Sequence, residues 1–311
     1  MDGTSSTRGS RLKGLGLAVA IAAVAIAAAL GLFMVMGVLH DKTVASDVAE
    51  LNEPVPKDAA GYMDVRVKMV ALDLDKETVG LKLECIPKGD YLVGEEGLRR
   101  TLVITAGESA SGMGTSKTIS PGAVGGIGGI ITIDLDLNGN VADYPWDRHT
   151  TSLWLMAQAY IEGKKFDWEI VPIRLQAHGA WPGLDIAFRA PNPDGSLSRQ
   201  LDIAVARSTI TTVVVCFSIV LTWILIASVV GMTFAVAIRG RRVEIRMIAF
   251  FGMLLFAMTA FRNSLPGAPP MGAFSDYLAF FWGYAAAIVG IGVLAGVWLR
   301  RSPSENERAP R

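Results

Sequence analysis

Hydrophobic and polar positions divide this chain into two kinds of territory. Residues 15–39, LGLAVAIAAVAIAAALGLFMVMGVL, hold 25 positions without a charge. At about 1.5 Å per residue they reach about 37 Å as a helix, more than a hydrocarbon core of about 30 Å. Residues 209–238 form a second such run, rich in Val, Ile and Thr, and Tyr277–Leu299 adds 23 uncharged residues. Met247–Phe261 supplies only 15, about 22 Å of helix. It crosses if Asn263–Leu265 extend it and Arg246 and Arg262 snorkel. The pattern predicts four transmembrane helices, at 15–39, 209–238, 247–265 and 274–299. A cleaved signal peptide competes for the first, since Arg8, Arg11 and Lys13 precede it. Its apolar run exceeds the about 7–15 residues of such a peptide, and Thr43-Val44-Ala45 is a poor cleavage site, so an uncleaved anchor is expected.

Between the first and second runs the period changes to two. Met63, Val65, Val67 and Met69 alternate with Asp64, Arg66 and Lys68, and Val79, Leu81, Leu83 and Cys85 alternate with Lys82 and Glu84. Alternation of this kind means strands with one buried face. Further strands are expected at 99–106, 130–137, 150–160, 168–176, 184–190 and 199–206. Together they predict an integral membrane protein of α plus β class, in which the helices carry an antiparallel β-sandwich of immunoglobulin-like type over 40–208. Residues 40–60 read as a polar stalk with Pro54 and Pro56. Gly107–Ile130 reads as a mobile loop. Its GESASGMGTSKT portion departs from a phosphate-binding loop at Met113, where that motif needs Lys.

Composition sharpens this picture through charge. The chain of 311 residues is neutral, with 29 Lys+Arg against 29 Asp+Glu. Residues 40–208 carry 17 basic and 24 acidic residues, a net of −7, and the remainder carries the compensating +7. The zero would exclude a polybasic nucleic-acid binder only for an even spread of charge, and here it conceals two zones; no nucleic-acid partner is expected. Of the 12 basic residues outside 40–208, all but Arg262 flank the apolar runs on one side: residues 1–14, the loop 239–246 and the tail 300–311. The positive-inside rule makes that side cytoplasmic, so both termini lie inside, and 40–208 and the Pro/Gly turn 266–273 lie outside a plasma membrane. The two cysteines, Cys85 on a strand and Cys216 within an apolar run, are not expected to pair.

Three groups of residues invite chemistry. Asp134, Asp136 and Asn138 match the front of a calcium loop, D-x-D-x-N-G, but the position of its bidentate Glu holds Pro145. A strand closing on an Asn-Gly turn explains the same residues. No cofactor is expected, and no resident metal beyond that candidate. His149 lies near Asp147 and Ser152 in sequence, yet no nucleophile elbow, zinc-binding pair or Cys/His spacing occurs, so catalysis is the minor expectation. In FRNSLPGAPPMG, Arg262 stands at membrane depth and Asp276 opens the last helix. Such charges are commonly paired, and we expect an ion pair or, alternatively, two side chains snorkelling to headgroup water. Gly292-x-x-x-Gly296 marks a small-residue face for helix packing or homo-oligomerisation.

Tyr144-Pro145-Trp146-Asp147 resembles the aromatic-Pro-aromatic-Asp motif in the characteristic loop of pentameric ligand-gated channels, which also join an outer β-sandwich to helices. This chain departs from them in having three helices after the sandwich and one before it. It also lacks flanking cysteines, as bacterial members do. The whole order, with YPWDR and RNSLPGAPPMG…D…FFW, resembles an uncharacterised actinobacterial family of multi-pass membrane proteins. That likeness implies a plasma-membrane protein with an outer β domain and no assigned activity. The expectation is a non-enzymatic envelope protein whose 40–208 domain binds another membrane protein or a cell-wall component. A channel- or transporter-like sensor and an outer-surface hydrolase are the alternatives.

Overall fold

The computed structural model describes residues 49–55, 60–93, 97–108, 114–119, 129–160, 168–191, 198–240 and 242–300. The expected helix at 15–39 and the basic residues Arg8, Arg11, Lys13, Arg241, Arg301, Arg308 and Arg311 lie outside these ranges.

The alternating segments form two facing sheets. Strands β2 (Gly61–Asp73) and β3 (Thr78–Gly89) are the long central pair of the first. They lie with β1 (Ala49–Asn52), β11 (Ile173–Gly179) and β8 (Gly129–Asp136) in the order β1-β11-β2-β3-β8. The second sheet runs β12 (Leu184–Arg189), β13 (Arg199–Arg207), β9 (Arg148–Tyr160), β6 (Leu102–Glu108), β7 (Gly114–Ile119), with β10 (Trp168–Ile170) also on β9. A two-residue hairpin, β4 (Leu92–Val93) with β5 (Gly97–Leu98), stands apart. Val65, Val67, Leu81, Leu83, Cys85 and Leu175 join Leu102, Ile104, Leu153, Leu155, Leu201 and Ile203 in one apolar core. Each fully buried aliphatic side chain contributes about 1.5–3 kcal/mol, which makes this layer the main source of the domain's stability.

Three expectations are corrected. The sandwich is not wholly antiparallel, because β11 runs parallel to β2, with Leu175 opposite Val65. The cause lies at Val171-Pro172. The chain leaves β10 in one sheet and enters β11 in the other there, and the Pro172 carbonyl accepts from the Met63 N–H at 2.8 Å. Residues 114–119 belong to a strand, not a mobile loop; β7 pairs with β6 from Leu102–Ile119 to Gly107–Gly114. Part of the stalk is also strand, as Ala49–Asn52 pairs with Gly179–Gln176.

Three helices follow: α1 (Thr209–Ala237), α2 (Ile245–Asn263) and α3 (Asp276–Arg300), the last opening with a π-helical turn over Asp276–Phe280. All three are long and apolar enough to cross a membrane. Helix α2 reaches about 28 Å with 19 residues because Ile245, Arg246, Arg262 and Asn263 are helical as well. On the inner faces, Phe251 and Met258 of α2 pack on Gly290 and Gly283 of α3, and Ala287 and Leu294 continue that stripe at intervals of three and four. The outer faces present Phe256, Met253, Ile288 and Val289, all exposed. An apolar exterior of this extent suits lipid, not water.

Candidate functional site

The two layers meet at a joint built from one sandwich corner, the end of the last strand and the turn between α2 and α3. Only Ser208 separates β13 from α1. Its hydroxyl caps α1 by accepting from the Thr211 N–H at 3.3 Å. The turn before β12 is tied in as well, since the Gly183 carbonyl accepts from the Ser208 N–H and the Thr211 hydroxyl, both at 3.0 Å.

The corner begins with a 3₁₀ turn over Val141–Asp143, capped by Asn140, whose Oδ1 accepts from the Ala142 N–H at 3.0 Å. It delivers Tyr144 and a cis Pro145 into the joint, where both are buried. The Tyr144 hydroxyl donates to the Pro266 carbonyl at 2.7 Å, a direct bond from sandwich to interhelical turn. Burial pushes that hydroxyl up to about 12, against the downward pull of Arg207. The Arg207 guanidinium lies 4.9 Å above the Tyr144 ring, within cation–π range. Its Nε donates to both oxygens of Asp147, at 3.1 and 3.0 Å. Gly267 has φ +77° and lies so close to the Arg207 guanidinium that a Cβ there would collide. His149 completes the group with its Nε2 3.2 Å from Asp147 Oδ2, and its ring covers Gly139.

A second buried pair braces the turn from the helix side. Arg262 Nε and Nη2 donate to the two oxygens of Asp276 at 3.1 and 2.9 Å. Nη2 also donates to the Pro270 carbonyl at 2.7 Å, and the Gly272 N–H donates to Asp276 Oδ2 at 2.9 Å. The charges are thus fully hydrogen-bonded, the condition under which a buried pair is tolerated. Tyr144, Val215, Leu265, Ala273 and Phe280 fill the space between the two polar groups. Of the corner residues 144–147, Trp146 alone faces outward, edge-on to Phe274 at 5.9 Å.

Tyr144, Pro145, Trp146, Asp147, Arg262 and Asp276 therefore meet in one place. The other candidates do not. Asp134 and Asp136 lie on the exposed face of the edge strand β8, while Asn138 exchanges backbone hydrogen bonds with Thr150 at 2.8 and 2.9 Å. Among the described residues, no group of three or more His, Cys, Asp or Glu could hold a metal. His149 is buried, but Ser152 sits three residues further along β9, on its opposite face, and donates to Asp202 at 2.7 Å. His178 lies on the outer face of the first sheet, 3.5 Å from Glu50. There a groove of about 340 Å³ is lined by Glu50, Arg66, Lys68, Glu84 and Gln176 besides His178. In the helices, the Ser218, Thr222, Ser228, Thr233 and Thr259 hydroxyls each donate to the carbonyl four residues back. A Cβ added at Gly292 or Gly296 would meet no neighbouring segment within 4 Å.

Arg207 and Pro266 are the site residues that sequence reading missed. A charge placed next to an apolar run was a signal for Arg207; nothing local marked the Pro266 carbonyl. No curated protein matches the chain. Residues 53–206 match the family model of a domain of unknown function (DUF4436), and residues 207–301 match that of a second (DUF8686). The sandwich and the helices are therefore each similar to an uncharacterised domain, and the two matches abut at Arg207 in the joint.

Proposed function

We propose that this chain is a multi-pass plasma-membrane protein of the cell envelope. Its outer β domain binds a protein or cell-wall partner, and its joint transmits the resulting load to the helices. Residues 15–39 supply a fourth crossing, both termini are cytoplasmic, and 40–208 lies outside as an immunoglobulin-like module. The carrying observation is the joint itself. A sandwich serving only as a tethered cap would need no buried Asp147–Arg207 pair and no Tyr144–Pro266 bond to the helical turn. The start of β1 supports the fourth crossing, because Ala49 pairs with Gly179 at the helix end of the sandwich. The groove around Lys68 and His178 supplies the partner face, and Gly292 and Gly296 supply a face for a homo-oligomer. The binding is without catalysis, a reading favoured by the separation of His149 from Ser152.

The test is photo-crosslinking in native membranes from an unnatural residue at Lys68. A reproducible adduct is expected; no adduct from Lys68 or from Glu84 and His178 around it would overturn the partner face. A second reading, a channel-like sensor, is favoured by one observation: the Tyr144-Pro145-Trp146-Asp147 corner bonds both to the turn between α2 and α3 and to Arg207, the end of β13, which only Ser208 separates from α1. It expects an oligomer with conductance in planar bilayers, and a detergent-extracted monomer without conductance would remove it.

A further inference from the structure

The joint carries a surface that neither the sandwich core nor the helix packing uses. Tyr144, Pro145 and Asp147 are buried, yet Trp146 between them is 50 % exposed. Phe274, also exposed, meets it, and the exposed rings of Tyr277, Phe281 and Trp282 follow three to eight positions further along the opening turns of α3. The Trp146 and Phe274 rings meet edge-on, Tyr277 and Phe281 do so at 5.1 Å, and the Trp282 indole N–H donates to the Tyr277 carbonyl at 3.0 Å.

The height of this patch follows from helix length. The 19 residues of α2 span about 28 Å, close to the hydrocarbon thickness of about 30 Å. Asn263 then marks the edge of the hydrocarbon, and the turn beyond it lies in the headgroup layer. Phe274 and Tyr277 belong to that level, and Trp146 reaches it from the outer domain. Below, the patch runs into the lipid-facing side chains Ile288 and Val289 of α3. Amphipathic rings at this depth behave as interface anchors.

We propose that the foot of the β domain is itself seated in the outer-leaflet headgroup layer, with Trp146 as its anchor and the lipid surface as its partner. This rests on the proposed crossing of the helices. Trp146 is exposed while Tyr144, two positions before it, is buried and bonds the Pro266 carbonyl, so one residue of the corner meets lipid and another holds the sandwich to the bundle. Tilting the domain would then pull the indole out of the interface.

The experiment is depth measurement on the full chain in phosphatidylcholine nanodiscs, with Cys216→Ala as background and Cys85 left in the core. A nitroxide is attached to Trp146→Cys, and separately to Phe274→Cys and Tyr277→Cys should the first disturb the corner. Ile130→Cys on β8 serves as the water reference and Phe256→Cys, at an 81 % exposed position on α2, as the lipid reference. The ratio of oxygen to nickel-chelate collisions is expected to fall between the two references. A ratio equal to that of Ile130→Cys overturns the seating. So does a label that neither reagent reaches, which would mean that protein covers the patch. Should Phe256→Cys itself read as aqueous, the crossing fails, and the seating with it.

Discussion

Asp147 takes hydrogen bonds from Arg207 and His149 within a buried joint, so its charge holds two groups in place. Asp147→Asn leaves the Arg207 guanidinium without a counter-charge at a site where its side chain is 5 % exposed. Breaking such a pair from one side destabilises by about 3–5 kcal/mol, and thermal unfolding of the purified protein should show it. Tyr144→Phe removes only the bond to Pro266, a loss of about 0.5–1.5 kcal/mol. It should also change the alkaline response. The Tyr144 hydroxyl has an ordinary value of 10.0 and is pushed up to about 12 by burial, so the folded protein keeps a proton that the unfolded chain releases. Its contribution is complete below pH 10 and fades as pH rises toward 12, and Tyr144→Phe should lose that part of the fall. Cys85, free and fully buried in the core, has its thiol pushed up to about 12 by burial. Alkylation at pH 8 should leave it untouched in the native protein and modify it after unfolding, as read by mass spectrometry. At this scale the sequence was legible where a residue's neighbours announce its role, as Tyr144-Pro145-Trp146-Asp147 do. Arg207 was marked only by its place next to an apolar run, and its pairing was not legible because the partner lies 60 positions away.

Among the elements, legibility tracked apolar periodicity. The strands whose inward positions are Val, Leu and Ile were readable, whereas β7, Gly-Thr-Ser-Lys-Thr-Ile, exposes its first five residues and offers no alternation to detect. The parallel entry of β11 was unreadable for another reason: alternation states which face is buried but not which neighbour a strand takes. Within the helices, glycines that look alike in sequence differ in use. A Cβ on Gly290 would lie 2.6 Å from the Phe251 ring, whereas Gly292 faces open space. Gly290→Leu should therefore force α2 and α3 apart and lower the unfolding temperature in detergent, while Gly292→Ala should leave the monomer's stability unchanged. The Arg262–Asp276 pair bonds to the turn as well as to itself. Single charge reversals should impair assembly, and the double swap should restore it only in part, because the new pair cannot serve both the Pro270 carbonyl and the Gly272 N–H. Yield after gel filtration reads the difference.

For the molecule as a whole, the matter at stake is whether sandwich and helices behave as two bodies or one. The joint argues for one, and Asp147→Asn is expected to make unfolding of the two parts separable, with near-ultraviolet and far-ultraviolet dichroism no longer coinciding. The chain's formal neutrality hides the division that makes this arrangement possible: an acidic β domain of net −7 and apolar runs flanked by basic residues. The sequence by itself determined the two territories, three of the apolar helices and the inward residues of the sheets, because hydrophobic burial is written in local periodicity. The tertiary structure alone decided the parallel pairing of β11, the strand at 114–119 and the union of Tyr144, Asp147, Arg207 and Pro266. Those depend on which distant segments come to share one buried polar site. A charge or carbonyl acquires its partner only when the chain has closed around it.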